Sequence, residues 1–197
     1  MVGVRRFDEQ VVLDQALAVF AELGYRSATM GDLASATGVQ RGSLYNAYGA
    51  KDEIFLRVFG AYATRFLDGA ARALDEADPA SALGSFFEYC IDAITRAGVQ
   101  GCLSTRTAIE AAADSSRVAG AVRTMLDDLG QIVCAALERL DSGLGSLRVD
   151  PRAAARLVVT TTRGLAVMER AGYTAEELRQ IAGDLVTSLV VTGNPTQ

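Results

Sequence analysis

The chain has no histidine, and only three cysteines and three prolines among 197 residues. Without histidine the commonest general base is missing and a histidine-based catalytic triad is impossible. No Cys-x-x-Cys pair is present either, so the ligand set of a structural zinc site is lacking. Cys90, Cys102 and Cys134 are too few and too scattered for a disulfide framework, and their odd number leaves at least one thiol free in a single chain. No apolar run reaches the roughly 18 residues of a membrane span. The segment MVGVRRFDEQ carries two arginines with no apolar stretch behind them and does not read as a signal peptide. A cytoplasmic protein with no membrane association is therefore expected. No paired-carboxylate, metal or nucleotide motif is present, so neither an enzyme nor a cofactor is expected. Excess positive charge is missing too. A net charge of −5 argues against a chain that coats nucleic acid along its whole length.

What is present is helix. Half the residues are apolar, enough for a sizeable core in one large domain or two small ones. The apolar period is three to four, and strand-like alternation is lacking. Leu13, Ala16, Leu17 and Phe20 form the stripe of a first helix ending at Gly24. Lys51, Asp52 and Glu53 open a long helix carrying Ile54, Phe55, Val58, Phe59, Tyr62 and Phe66. Asp78-Pro79 and Asp150-Pro151 each read as an N-cap followed by proline at the first helical position. Thr174 and Glu177 make a capping box. Gly98 and Gly101 break one pattern, a short helix follows at about Thr105 to Ala113, and Gly143 and Gly145 mark a loop. Residues 185–191, LVTSLVV, are apolar over most of a helix circumference. Such a helix is buried on two sides, by its own core or by a second subunit.

The most informative stretch is TMGDLASATGVQRGSLYNAYGAK, residues 29–51. Thr29 sits at an N-cap position. Met30, Leu33, Ala34 and Thr37 recur at helical spacing, and Gly38 follows where a chain leaves a helix left-handed. Val39 and Leu44 can pack back onto that helix. Gln40, Arg41, Ser43, Tyr45 and Asn46 then point outward from about two turns of a second helix, too short to stand alone. A polar short helix held on a small apolar pair is the design of a helix-turn-helix that reads the DNA major groove. Against it, residues 1–52 carry five basic and six acidic residues, a net charge of −1.

From about Val12 to Phe55 the pattern resembles the TetR family of bacterial transcriptional regulators. The resemblance rests on Phe20 with Gly24-Tyr25, the Thr29 cap, Leu33-Ala34, Gly38-Val39, Gly42-Ser43-Leu44-Tyr45, and Lys51. It implies an all-α homodimer with an N-terminal three-helix helix-turn-helix head, residues 1–52, and a C-terminal effector-binding and dimerisation domain, residues 53–197. It implies a repressor on palindromic double-stranded operator DNA, released by a small-molecule effector of unknown identity. Carried over, Thr29, Asn46 and Lys51 contact phosphates; Gln40, Arg41 and Ser43 face bases or nearby phosphates. Gly42 lets the backbone come close, and Tyr45 meets a phosphate or a thymine methyl. The chemistry agrees: Arg41 can bond guanine with two donors and Gln40 can pair with adenine. Ala47 and Gly31 stand where the family often has longer side chains, which reduces contacts. The homodimer is expected through helices at about 151–170 and 175–191. Two reading helices must then be held on the order of 34 Å apart.

Two sensing routes follow from the body. In GVQGCLSTRTAIEAAADS, glycines deliver Cys102 to, or just before, a helix start. A helix amino end lowers a thiol pKa, and Arg106 one turn away can help. A Gly-Cys-Leu here also resembles the branch of the family that senses electrophiles or oxidants, in which an adduct shifts the heads out of register. A small buried residue in a tight loop is the plainer alternative. Cys90 and Cys134 lie on apolar stripes and are expected in the core. The second route is an apolar ligand in a cavity lined by Phe66, Phe86, Phe87, Tyr89, Met125 and Thr161, with Arg163 or Arg106 as anchors. The rivals are a helical interaction protein that has lost DNA binding and a helical-bundle enzyme.

Overall fold

The computed structural model describes residues 8–95, 102–111, 115–141 and 146–191. The expected glycine breaks at Gly98, Gly101, Gly143 and Gly145 lie outside them, as does Ala113. The order is α1 (Glu9–Ser27), α2 (Met30–Thr37), α3 (Arg41–Tyr48), α4 (Lys51–Ala73), α5 (Pro79–Thr95), α6 (Leu103–Ala111), α7 (Ser116–Leu140), β1 (Ser146–Leu147), α8 (Pro151–Arg170), α9 (Ala175–Leu189) and β2 (Val190–Val191). The architecture is all-α apart from the two-residue pair.

Local chemistry accounts for the boundaries. The Thr29 hydroxyl accepts from Asp32 N–H at 3.2 Å and the Asp32 carboxylate accepts from Thr29 N–H at 2.9 Å, a full capping box. Gly38 leaves α2 at φ 63, ψ 11, the left-handed region where a side chain is strained. Asp78 accepts from Ala80 and Ser81 N–H at 2.9 and 3.0 Å, and Asp150 from Ala153 N–H at 3.0 Å. Each is followed by the expected proline. Thr174 and Glu177 form the second capping box.

The head core is Phe20, Leu33, Leu44 and Phe55, all essentially inaccessible. One residue from each of the first four helices meets there, which is how a two-turn α3 is held. From Phe55, an aromatic row descends α4 into the body. Its ring centroids are 5.3 Å apart for Phe55–Phe59, 5.8 Å for Phe59–Tyr62 and 6.2 Å for Tyr62–Phe66. Steps of three and four residues put these rings on one helical face. Head and body are thus joined by an unbroken, core-facing helix rather than a linker. In the body α7 packs on α4 and α8, and α5 packs on α9.

Two expectations need correction. Helix α9 stops at Leu189, not at 191. Val190 and Val191 are extended and pair antiparallel with Leu147 and Ser146, and Arg148 N–H donates to Leu189 O at 2.8 Å. The β-branched valines suit this strand better than a helix end. Cys134 is not in the core but half-buried in a groove of about 760 Å³ between α7 and α8, its thiol donating to Glu138 Oε1 at 3.4 Å. Its stripe faces that groove, whereas the stripe of Cys90 faces the interior.

Candidate DNA-reading face and thiol site

Helix α3 separates its side chains cleanly. Leu44 and Tyr48 are buried, while Gln40, Arg41, Gly42, Ser43, Tyr45, Asn46 and Ala47 are exposed. The face comes from packing: Leu44 and Tyr48, one turn apart, point at the core, which leaves the rest to solvent. The Arg41 guanidinium lies 5.9 Å from the Tyr45 ring centroid, a cation–π contact one turn apart. A Cβ on Gly42 would meet nothing within 4 Å, so the backbone there is open to close approach. Tyr48 belongs to the core, with the Arg57 guanidinium 5.5 Å from its ring. Burial pushes its phenol up.

Two flanking residues are otherwise engaged. The Thr29 hydroxyl donates to Asp32 Oδ2 at 2.6 Å. Hydrogen bonds from the Thr29 side chain and backbone hold the Asp32 carboxyl below its usual range. The amino end of α2, expected to attract phosphate, therefore already carries a carboxylate. The Lys51 ammonium turns inward, donating to Tyr25 O at 2.8 Å and Arg26 O at 3.2 Å, over the Tyr25 ring at 4.7 Å. It caps the end of α1, because the last carbonyls of a helix lack partners and attract cations.

Cys102 sits at the N-cap of α6, its carbonyl accepting from Arg106 N–H at 3.0 Å, and it is only 5% exposed. The cation beside its sulfur is Arg163 of α8, not Arg106. Arg163 Nη1 donates to Cys102 Sγ at 3.3 Å, to Ser104 Oγ at 2.7 Å and to Thr105 Oγ1 at 3.3 Å. Ser104 Oγ is 2.9 Å and Tyr62 Oη 4.0 Å from the sulfur. Thr162 Oγ1 accepts from Arg163 Nε at 3.2 Å and Nη2 at 3.1 Å, which fixes the guanidinium. Burial by itself drives the thiol up; the Arg163 charge and hydrogen bonds from Ser104 and Thr105 outweigh it and bring Cys102 down to about 7. Cys90, equally buried, is pushed up to about 12. Adjacent burial thus yields one inert thiol and one close to ionisation at neutral pH.

Spacing alone pairs Arg106 with Cys102, because they are four apart on one helix. Here the Arg106 side chain turns the other way, onto α1. Arg163 is 61 residues from Cys102 in the chain, and no local pattern signals that pairing. Most of the expected cavity lining is packed as core, with Phe66 against Tyr89 and Phe86 against Phe87. Phe66, Phe86, Phe87 and Met125 are buried core. Tyr89 donates to Phe66 O at 3.1 Å, and Thr161 is half-buried on α8. None of these residues lines the groove between α7 and α8 or the smaller one, about 470 Å³, between α6 and the end of α8, but Phe87 lines a third, about 350 Å³, between α5 and α9. Aromatic and methionine side chains at helical spacing have filled the space between helices. No group of three metal-ligating side chains occurs among the described residues, and no described helix is long and apolar enough to cross a membrane.

A three-helix head with a polar, solvent-facing third helix, carried on a helical body, defines the class of helix-turn-helix DNA-binding regulators. The family described as "Bacterial regulatory proteins, tetR family" matches residues 12–58. The chain is 27% identical over 184 residues to the HTH-type transcriptional repressor ComR of Escherichia coli (strain K12), covering 90% of this chain and 86% of that one. Among solved structures it resembles the TetR family regulator CifR, a cysteine mutant complexed with 26-bp double-strand operator DNA. The TM-score is 0.85 at 21% identity, with 93% of this chain and 98% of that chain covered. It also resembles the reduced form of Escherichia coli NemR, with a TM-score of 0.83 at 14% identity over 93% of this chain and 97% of that one. Residues 12–58 are thus a TetR-type helix-turn-helix head, and the whole chain shares the fold of TetR-family regulators.

Proposed function

We propose that the protein is a cytoplasmic, homodimeric repressor that occupies a palindromic operator and is released when a thiol-reactive effector modifies Cys102. Residues 1–52 are the reading head and residues 53–197 the sensing and dimerisation body. The observation that carries the DNA-reading role is the solvent face of α3, where Gln40, Arg41, Gly42, Ser43, Tyr45 and Asn46 stand together with no core duty. Arg41 and Gln40 supply base-edge chemistry; Ser43, Tyr45 and Asn46 supply phosphate or methyl contacts. Thr29 and Lys51 act from within the fold, one as a cap for α2 and the other as a cap for α1. Any phosphate contact from either requires it to leave those partners. The dimer reading is supported by α8 and α9, which leave Leu157 and Val167 exposed and Leu185 half-buried in the single chain. The names of the relatives, a repressor and an operator complex, support the same reading. Release through Cys102 is supported by the Arg163 guanidinium 3.3 Å from its sulfur, which helps bring the thiol down to about 7.

Selection from random duplex DNA is the test. Recovery of a palindrome is expected. Arg41→Ala or Tyr45→Ala is expected to weaken its binding by roughly tenfold or more, the scale of one lost specific contact. No enrichment at low salt overturns the proposal and favours a helical interaction protein.

A further inference from the structure

Helix α1 is broken near its end. Gly24, at φ 83 and ψ 163, leaves the helical conformation and deprives the preceding carbonyls of their usual partners. Two side chains of α6 close that gap. Arg106 Nη1 donates to Ala21 O at 3.4 Å and Glu22 O at 2.9 Å, and Nη2 to Leu23 O at 2.5 Å. Its Nε donates to Glu110 Oε1 at 2.6 Å, and Glu110 Oε2 accepts from Arg26 N–H at 3.1 Å. Carbonyls before the break and an N–H after it are thus satisfied by one ion pair from the body. A Cβ on Gly24 would lie 2.5 Å from both Arg106 and Glu110, so only glycine lets the clamp close. Both side chains are about four-fifths buried, at 20% and 19% exposure.

Polar ties around the start of α4 differ in kind. Arg117–Glu53 and Arg57–Glu9 are exposed pairs, each worth little on its own. Ser115 Oγ donates to Asp52 Oδ2 at 2.8 Å, close to where α4 already joins the two parts. A head attached only at the start of α4 can pivot about that point. The clamp is a second attachment, on a different helix of the head, and two separated attachments fix an angle.

We infer that Arg106, held by Glu110, is the positioning residue that sets the angle of the reading head on the body, and hence the separation of the two reading helices in a dimer. This rests on the operator-reading function proposed above. Arg106 touches no DNA in this role; it acts through α1. Cys102 begins the same helix one turn away, so a change there has a short route to the head.

A positioning role predicts a specific pattern. Angle matters when two heads engage both half-sites at once, and not when one head engages one. Wild type, Arg106→Gln, Arg106→Lys and Glu110→Gln should be compared by fluorescence anisotropy. The duplexes are the selected palindrome and the same duplex with one half-site randomised. Arg106→Gln is expected to weaken palindrome binding by about tenfold or more and to leave half-site binding within about twofold. Arg106→Lys, with one ammonium in place of a fork, should recover only part of the loss. Equal losses on both duplexes, or none on either, overturn the inference. If Arg106→Gln loses its helical circular dichroism, Glu110→Gln carries the test, with the same pattern expected at smaller size. Wild type that binds neither duplex overturns the operator-reading function itself, a distinct result.

Discussion

Phe55→Ala is expected to destabilise the protein by about 3–5 kcal/mol, the largest single effect among the substitutions considered. Phe55 is fully buried where α1, α2, α3 and α4 converge. Its ring lies 5.0 Å from Phe20 and 5.1 Å from Tyr25, edge-on to both, and stacks on Phe59 at 5.3 Å. Removing it takes away apolar area and three ring contacts, and leaves a cavity that four helices cannot close together. The short α3 has little stability of its own, so the reading face should loosen with the core. Urea melts at fixed protein concentration, which matters for a dimer, check this. A loss below about 1 kcal/mol would contradict the packing described.

The second large effect is on thiol chemistry. Arg163→Met removes the positive charge and the main donor beside Cys102 while keeping much of the side-chain volume. With that charge gone, burial dominates, and Cys102 should move from about 7 toward the behaviour of Cys90 at about 12. The thiolate is the reactive form, so the rate of modification should rise with pH in both proteins. In wild type the rise is centred near pH 7 and then levels off. In the variant it begins only in the alkaline range. At pH 7 the loss of thiolate is partly offset by the greater intrinsic nucleophilicity of a more basic thiolate, leaving a net slowing on the order of tenfold or more. Mass spectrometry after timed exposure to a small electrophile over a pH series reads this directly. An unchanged pH midpoint would show that Arg163 does not set the thiol. Release from operator DNA that is unaltered by Cys102→Ser would remove the sensing role.

The helix-turn-helix could be read from residues 29–51 because its signals are local. Thr29 bonds within one turn, Gly38 answers to its own backbone angle, and Leu44 declares its face by spacing. The proline starts at Asp78 and Asp150 and the box at Thr174 are legible for the same reason. Misplaced features depend on distant chain. Arg106 is a turn from Cys102 along the helix, yet the carbonyls freed at Gly24, more than 80 residues away, hold it. Lys51 resembles a phosphate ligand until the end of α1 is seen to lie under it. Aromatic type at helical spacing does not distinguish the lining of a cavity from its filling.

By itself, then, the sequence determined the helices, their caps and the face of α3, because hydrogen bonds and apolar periods within a few residues decide them. The tertiary structure alone decided which cation meets the Cys102 thiolate, where Arg106 and Lys51 spend their charge, and how Val190 and Val191 leave the last helix. Each of those outcomes is a competition among partners brought together from distant parts of the chain, and charge and unpaired backbone groups settle it only once the helices have packed.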